Sequence, residues 1–347
     1  MRTRNRRAAW WAAALSVVLA VPGVVAACGG SGLKVGLAYS AGGPGDHGFN
    51  DLALDGLNRA KAELGSITSV RALTARANES EDDQYDRLSL LCEAGYNPVI
   101  AVGFSYAGSN PATGPLARAA KDCPSTKFAI IDDDSVAQDN VADLVFANEQ
   151  GAYLVGVAAA LKTSTGAVGF VGACPVPVIQ EFLAGYQAGV HSVRADMAVY
   201  VGYVGSDAAH CDFTDTAPAQ SVAADLYAQG AGVVFQVAGG AGIGVFRAAL
   251  ASGNKAIGVD ADQYETVSES LRPVILTSMI KRVDVAVYDF IKTVAAHRFR
   301  SGVRRYDLAD DGLSYATSGG QINDITARLD EDRKKIVAGQ IVVPTVP

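Results

Sequence analysis

Charge, metal ligands and nucleophile motifs are all scarce in this chain. Of its 347 residues only 29 are Lys or Arg, against 36 Asp or Glu, a net charge of −7. Removing the first 27 residues takes away Arg2, Arg4, Arg6 and Arg7 and leaves 25 bases against 36 acids, or −11. Nucleic acid needs a basic stripe to neutralise phosphates, so it is not an expected partner. The four histidines, His47, His191, His210 and His297, lack ligand spacing and there is no C-x-x-C pair, which argues against a metal site. No G-x-S-x-G elbow, H-E-x-x-H pair or Walker loop occurs, so the common hydrolase and nucleotide-cleaving signatures are missing. A binding protein without cofactor is therefore expected rather than an enzyme. The one long apolar run, Ala8 to Val21, is shorter than the roughly 20 residues a membrane span needs.

That run is informative in another way. It follows the basic start MRTRNRR and precedes Val25-Ala26-Ala27-Cys28, small residues leading to a cysteine, then Gly29-Gly30-Ser31-Gly32. This is the pattern of an export signal with a lipobox, residues 1–27, with Cys28 as lipid attachment site and 28–33 as flexible tether. Several acyl chains at about 0.8 kcal/mol per buried CH₂ make a stable anchor where one is marginal. The mature protein is expected outside the cytoplasmic membrane, held there by lipid only.

Export also gives the other cysteines a purpose. Cys92, Cys123, Cys174 and Cys211 can form two disulfides in three possible pairings. Cys92 with Cys123 and Cys174 with Cys211 is favoured, because each pair falls within one half of the chain.

With 49% apolar residues, the chain is long enough for about two domains with real cores, and 37 glycines and 12 prolines without a G-X-Y period suit tight turns between many short elements. From Lys34 onward, apolar runs of strand length alternate with stretches whose apolar residues recur every three or four, as in Ala53, Leu57, Ala60 and Leu64. About ten such alternations predict parallel, doubly wound α/β structure. An eight-fold barrel is the competing architecture, but the DDDS and NEQGAY segments break the rhythm near residue 140, favouring two Rossmann-like lobes.

In open α/β sheets, ligands collect at the carboxyl ends of strands. Those segments are rich in Gly, Asp, Asn and single aromatics, a composition suited to a small polar molecule with a flat ring and hydroxyls. Asp132-Asp133-Asp134 could serve acid/base work, though such runs commonly make turns. Gly239-Gly240-Ala241-Gly242-Ile243-Gly244, with Asp260 following, imitates a dinucleotide fingerprint. It comes too late in the chain, and the plainer reading is backbone amides brought close to a ligand by glycine.

Several segments together, KVGLAYSAGGPGDHGFND, FANEQGAYLVGVAAAL, VGFVG with EFLAGYQAGV, GAGVVFQVAGGAGIGVF, AIGVDADQ and LTSMIKRVDVAVYDF, run in order from Lys34 to Val294. The chain thus resembles the basic membrane protein family of lipoproteins, which includes purine nucleoside receptors of ABC importers. The resemblance implies a type I periplasmic-binding-protein fold, with one lobe at 34–145 plus 278–305 and the other at 146–277 plus 306–347, joined by hinge crossings. It implies a monomer that captures adenosine, guanosine or inosine for an ABC permease. A sensory lipoprotein, a binder of pentose or another small polar ligand, and a secreted nucleoside-processing enzyme are the alternatives.

Carried over motif by motif, the resemblance implies ligand contacts at Asp46, Phe49, Asn50, Asp132, Phe213, Gly239, Gly240, Asp260 and Lys281. Phe49 and Phe213 would sandwich a base, Asp46, Asn50 and Asp132 would meet its ring nitrogens, and Asp260 and Lys281 would hold ribose hydroxyls. Phe182 is a second candidate ring partner, although its spacing suits a buried helix face; Glu149 reads as a hinge or helix-start residue. Where the family usually has Gly-Gly after the VGF strand, this chain has Ala173-Cys174-Pro175. A Cys174–Cys211 bond would brace the loop that carries Phe213.

Overall fold

The computed structural model describes residues 32–76 and 79–347. The proposed signal segment and residues 28–31 of the tether, Cys28 included, lie outside the described residues, whereas Leu33, its last residue, already begins β1. The elements run β1 (Leu33–Ala38), α1 (Phe49–Glu63), β2 (Ile67–Leu73), α2 (Glu81–Glu93), β3 (Val99–Ala101), α3 (Pro115–Asp122), β4 (Phe128–Ile131) and β5 (Val141–Phe146). They continue with α4 (Asn148–Lys162), β6 (Ala167–Gly172), α5 (Pro177–Val193), β7 (Ala198–Tyr203), α6 (Thr216–Ala228), β8 (Ala231–Val237), α7 (Ile243–Ser252), β9 (Lys255–Asp260), α8 (Gln263–Thr266) and β10 (Ile275–Lys281). α9 (Val283–Ala295), β11 (Gly302–Tyr306), β12 (Leu313–Tyr315) and α10 (Thr326–Val337) complete the chain.

Two six-stranded sheets result, ordered β11-β5-β4-β3-β1-β2 and β12-β10-β9-β8-β6-β7. Every pairing is parallel except β10 with β12. The barrel alternative is excluded. The central strands are apolar and buried on both faces, as parallel strands covered by helices must be: VIA of β3, FAII of β4 and AGVVFQV of β8 are buried throughout.

The chain passes between the sheets three times: at Ala147, at Arg282, and through residues 307–312. The sequence reading places the second passage before residue 278. In the structure Ser278, Met279 and Ile280 are still paired with Gly258, Val259 and Asp260 of β9, so the strand belongs whole to the second sheet. Lys281 is consequently the last residue of the second lobe and sits beside the hinge.

β5 went unrecognised in the sequence because Asp143 interrupts VADLVF. That side chain is buried all the same, and burial pushes its carboxyl up to about 7. β11, GVRRY, is an edge strand with four exposed residues and no apolar pattern. α4 and α5 pack unusually close: a Cβ on Gly185 would lie 2.0 Å from the Glu149 carbonyl oxygen, and one on Gly189 2.1 Å from that of Tyr153. Only glycine permits this approach, which brings the middle of α5 against the hinge end of α4.

Both proposed disulfides form. Cys92–Cys123 ties α2 to the end of α3, with Cα atoms 6.4 Å apart. Cys174–Cys211 ties the turn after β6 to the loop after β7, at 5.0 Å.

Candidate functional site

The carboxyl ends of both sheets face a single cleft, and within it lies a cavity of about 240 Å³. This is slightly below the roughly 300–1,000 Å³ of typical small-molecule sites. All nine residues singled out from the sequence line it.

The first lobe contributes the turn after β1. Asp46 receives backbone N–H groups from Gly48 (3.0 Å), Asn50 (2.8 Å) and Asp51 (3.2 Å), and the Asn50 side chain at 3.0 Å. Both its oxygens are thereby occupied in starting α1 and orienting Asn50. Its carboxyl is pushed upward by burial, against the pull of those N–H donors. Asp46 thus acts chiefly on the shape of the turn, whereas the Asn50 side chain, also bonded to Ser40 Oγ at 3.2 Å, is presented to the cavity. Phe49, the first residue of α1, lays its ring beside the same space.

Asp132 follows β4 and Asp260 ends β9. Both adopt left-handed backbone, φ +67° and +66°, which costs a non-glycine residue strain and is commonest for Asp and Asn. Lys281 is 1% exposed, and its Nζ lies 2.5 Å from Asp132 Oδ2. Three rings surround this ammonium: Phe49 at 5.2 Å, Phe146 at 5.0 Å and Phe182 at 5.4 Å from Nζ to ring centroid. Cation–π attraction acts within about 6 Å of a ring centroid and strengthens on desolvation. Asp260 has no such partner among the described residues; burial, with Asp132 and Asp46 adding repulsion, pushes its carboxyl up to about 7 although Lys281 pulls the other way.

At the other end of the cavity, Phe213 packs on Gly239 and Gly240. Its carbonyl accepts from Ala241 N at 2.9 Å, and a Cβ on Gly239, at φ +54°, would lie 3.4 Å from the Phe213 side chain. Across the cleft Phe104 meets Phe213 edge to face, with centroids 6.3 Å apart.

Phe104 and Ser105 fall in the strand-end segment Gly103 to Tyr106 that the sequence marks as a place for ligands, but the sequence names neither as a contact, nor Ser40 or Gln84, which also line the cavity. Phe104 lies two residues beyond Val102 in a turn without motif character, so only its position after a strand marks it. Phe182 is buried on its helix face, as its spacing predicted, yet it still reaches the cavity. One fold position therefore satisfies both readings of that residue.

The cavity has two chemically distinct ends. One concentrates the Lys281 ammonium, Asp132 and Asp260 beneath aromatic faces; the other presents Phe213, Phe104 and glycine backbone, with Asp46 beside Gly240. Among the described residues no group of His, Cys, Asp and Glu is arranged to hold a metal ion, and no helix is long and apolar enough to cross a membrane.

Comparison with known proteins agrees with this architecture. Residues 34–346 match the family model described as ABC transporter substrate-binding protein PnrA-like. The ABC transporter nucleoside-binding protein BmpA of Lactococcus lactis is 34% identical, the match covering 90% of this chain and 89% of that one. A CD4+ T-cell-stimulating antigen of Listeria monocytogenes is 31% identical over 97% and 99%. Among solved structures, an ABC transporter solute-binding protein from Aeropyrum pernix superposes with a TM-score of 0.75 at 29% identity, covering 90% of this chain and 94% of that one. The chain, a two-lobed α/β protein with its cleft between the strand ends, belongs to the PnrA-like family of ABC transporter substrate-binding proteins.

Proposed function

We propose that this protein captures a purine nucleoside between its lobes and delivers it to an ABC importer, working outside the cytoplasmic membrane on a lipid anchor at Cys28. The observation that carries the reading is the polarity of the cavity from end to end. Ribose hydroxyls suit the end where Asp260 can accept and Lys281 can donate beside Phe49, and a flat base suits the end walled by Phe213 and Phe104. Stacking contributes about 1–3 kcal/mol per base. One or two such contacts with several desolvated hydrogen bonds reach the roughly −8 kcal/mol of micromolar affinity after closure costs.

The charge of the site narrows the ligand further. Asp46, Asp132 and Asp260 line a cavity whose buried ammonium already has a partner, and the other cation on its wall among the described residues, Arg76, is exposed and 4.0 Å from Asp83, so a phosphate would meet more buried carboxylate than free cation. Nucleosides are favoured over nucleotides. Relationship to a protein named as nucleoside-binding supports the same reading.

Calorimetry on folded, ligand-free protein with adenosine, guanosine, inosine, cytidine and AMP tests it. The expected result is micromolar or tighter binding of at least one purine nucleoside, weaker cytidine and no AMP. Failure of every nucleoside to bind would remove the proposal.

A further inference from the structure

The FANEQ segment, conspicuous in the sequence, finds its use at the hinge. Ala147 N donates to the Tyr306 carbonyl at 2.9 Å, Glu149 pairs with Arg305 at 2.6 Å, and Gln150 Oε1 accepts from Leu308 N at 3.3 Å. Asn148 Nδ2 donates to Glu181 at 3.0 Å. Through Ala147, Glu149 and Gln150 the segment binds the first lobe crossing to the start of the third, while Asn148 ties it to α5. Phe146, at its head, is buried and stacks on Tyr306 with centroids 5.2 Å apart and planes 25° from parallel. The opposite partner of the Phe146 ring is Lys281 Nζ, 5.0 Å from its centroid, and Lys281 stands at the second crossing. All three crossings thus meet around one ammonium. Phe146 does not itself line the cavity, so it reaches a ligand only through that lysine.

We propose that Phe146 is a positioning residue for ligand capture: backed by Tyr306, its ring fixes the Lys281 ammonium at the ribose end of the cavity and makes hinge and binding site one mechanical unit. The position is apt, since β5 and β10 hold the same place in their sheets, so that Phe146 and Lys281 are structural counterparts from the two lobes. A ring is suited to the task. It offers the ammonium a favourable face without a carboxylate that would add to the negative charge already present. The choice of ligand rests on the nucleoside reading; the placement of Lys281 does not.

The test is Phe146→Leu in the full-length protein, with Phe146→Met as a second non-aromatic replacement if the first does not fold. Nucleoside affinity is measured by calorimetry, alongside the NMR relaxation order parameter of the Lys281 ε-methylene in lysine-labelled protein, its signal identified by its loss in Lys281→Arg. An ammonium held in place gives an ordered ε-methylene in the wild type. The expected result is roughly tenfold weaker binding, from loss of a desolvated cation–π contact, together with a lower Lys281 order parameter in ligand-free protein. Affinity within twofold of wild type in a folded variant overturns the proposal. So does weakened binding with an unchanged order parameter, which is the behaviour of a residue with only a structural role. If the wild type binds no nucleoside, the ligand reading fails, and the order parameter alone decides: lowered, Phe146 positions Lys281; unchanged, it does not.

Discussion

Asp132 and Asp260 occupy the same station in two similar lobes. Each stands at the carboxyl end of the third strand in its sheet order, β4 and β9, and each is held in left-handed backbone. Their electrostatics are opposite. Asp132 holds the Lys281 ammonium at 2.5 Å, while Asp260 is buried without an ion-pair partner among the described residues and is pushed up to about 7. The lysine comes from the second lobe but pairs with the acid of the first, and so it also joins the lobes across the cleft. Two near-equivalent halves become one asymmetric site because a single cation is shared unequally. This sets Oδ2 of Asp132 to holding the lysine and leaves Asp260 whole as an acceptor for a ligand, alongside the buried Asp132 Oδ1, which has no hydrogen-bond partner among the described residues.

Lys281→Met breaks that arrangement at its centre. It leaves Asp132 and Asp260 buried with no cation, and loss of one partner of a buried ion pair typically costs about 3–5 kcal/mol. We expect a stability loss of that order at pH 7 by denaturant unfolding, and at least hundredfold weaker nucleoside binding. Wild-type stability in the variant would show that the pair is not the organising contact.

The two disulfides offer the same kind of comparison. They close loops of 31 and 37 residues, for which chain entropy gives nearly equal stabilisation, about 4 kcal/mol each. Their surroundings differ: Cys211 lines the cavity two residues before Phe213, whereas neither Cys92 nor Cys123 lines it. Replacing either pair with serine should therefore lower stability to a similar extent, but only Cys174→Ser with Cys211→Ser should also speed nucleoside release. Stopped-flow dissociation rates check this. Equal release rates in the two double variants would show that Phe213 keeps its place without the bond.

A third contrast separates the aspartates directly. Asp260→Ala should weaken nucleoside binding by about 2 kcal/mol, roughly thirtyfold, as expected for truncating a charged hydrogen-bond partner. It should cost little stability, since it removes an acid that is disfavoured in its charged form. Asp132→Ala should reverse the ranking, destabilising the fold by leaving the Lys281 ammonium without its partner. Calorimetry and unfolding on both variants decide, and equal effects would erase the distinction drawn above.

The sequence carries the frame well and the connections poorly. Parallel strands buried on both faces leave apolar runs such as FAII and AGVVFQV, and the strand ends follow at once, so the segments that build the cleft are locally encoded. β5 and β11 were hidden for opposite reasons, a buried acid inside the first and an exposed charged edge in the second. Phe213 and Lys281 carried no periodic signal and entered through motif resemblance. That Lys281 takes Asp132 rather than Asp260 cannot be read locally, because 149 residues and the closure of two lobes separate the partners. Asp46 lines the cavity as its motif suggests, and its second task, accepting the N–H groups of its own turn with both oxygens, is visible only once the backbone is placed.

The finest effect concerns protons. In ligand-free protein Asp260 titrates near 7, well above an unfolded aspartate at about 3.9, so the native state holds a proton that the unfolded chain releases at lower pH. Stability contributed by that proton is present below about pH 4 and is lost as pH rises toward 7. Asp143 and Glu181, also pushed up to about 7 by burial, add to the same trend, but neither lines the cavity. Asp260→Asn should therefore flatten only part of the stability decline between pH 4 and 7. Binding should show the opposite slope. A ribose hydroxyl that donates to the Asp260 carboxylate requires the charged form, so the ligand must displace the proton below pH 7, and affinity should fall by up to tenfold per pH unit there. Calorimetry from pH 5.5 to 8 on the wild type and Asp260→Asn reads this as a slope present in the first and reduced in the second. A wild-type affinity that does not change over this range would mean that Asp260 meets its ligand as a neutral acid, donating rather than accepting, and the division of labour between the two aspartates would need to be redrawn on that basis.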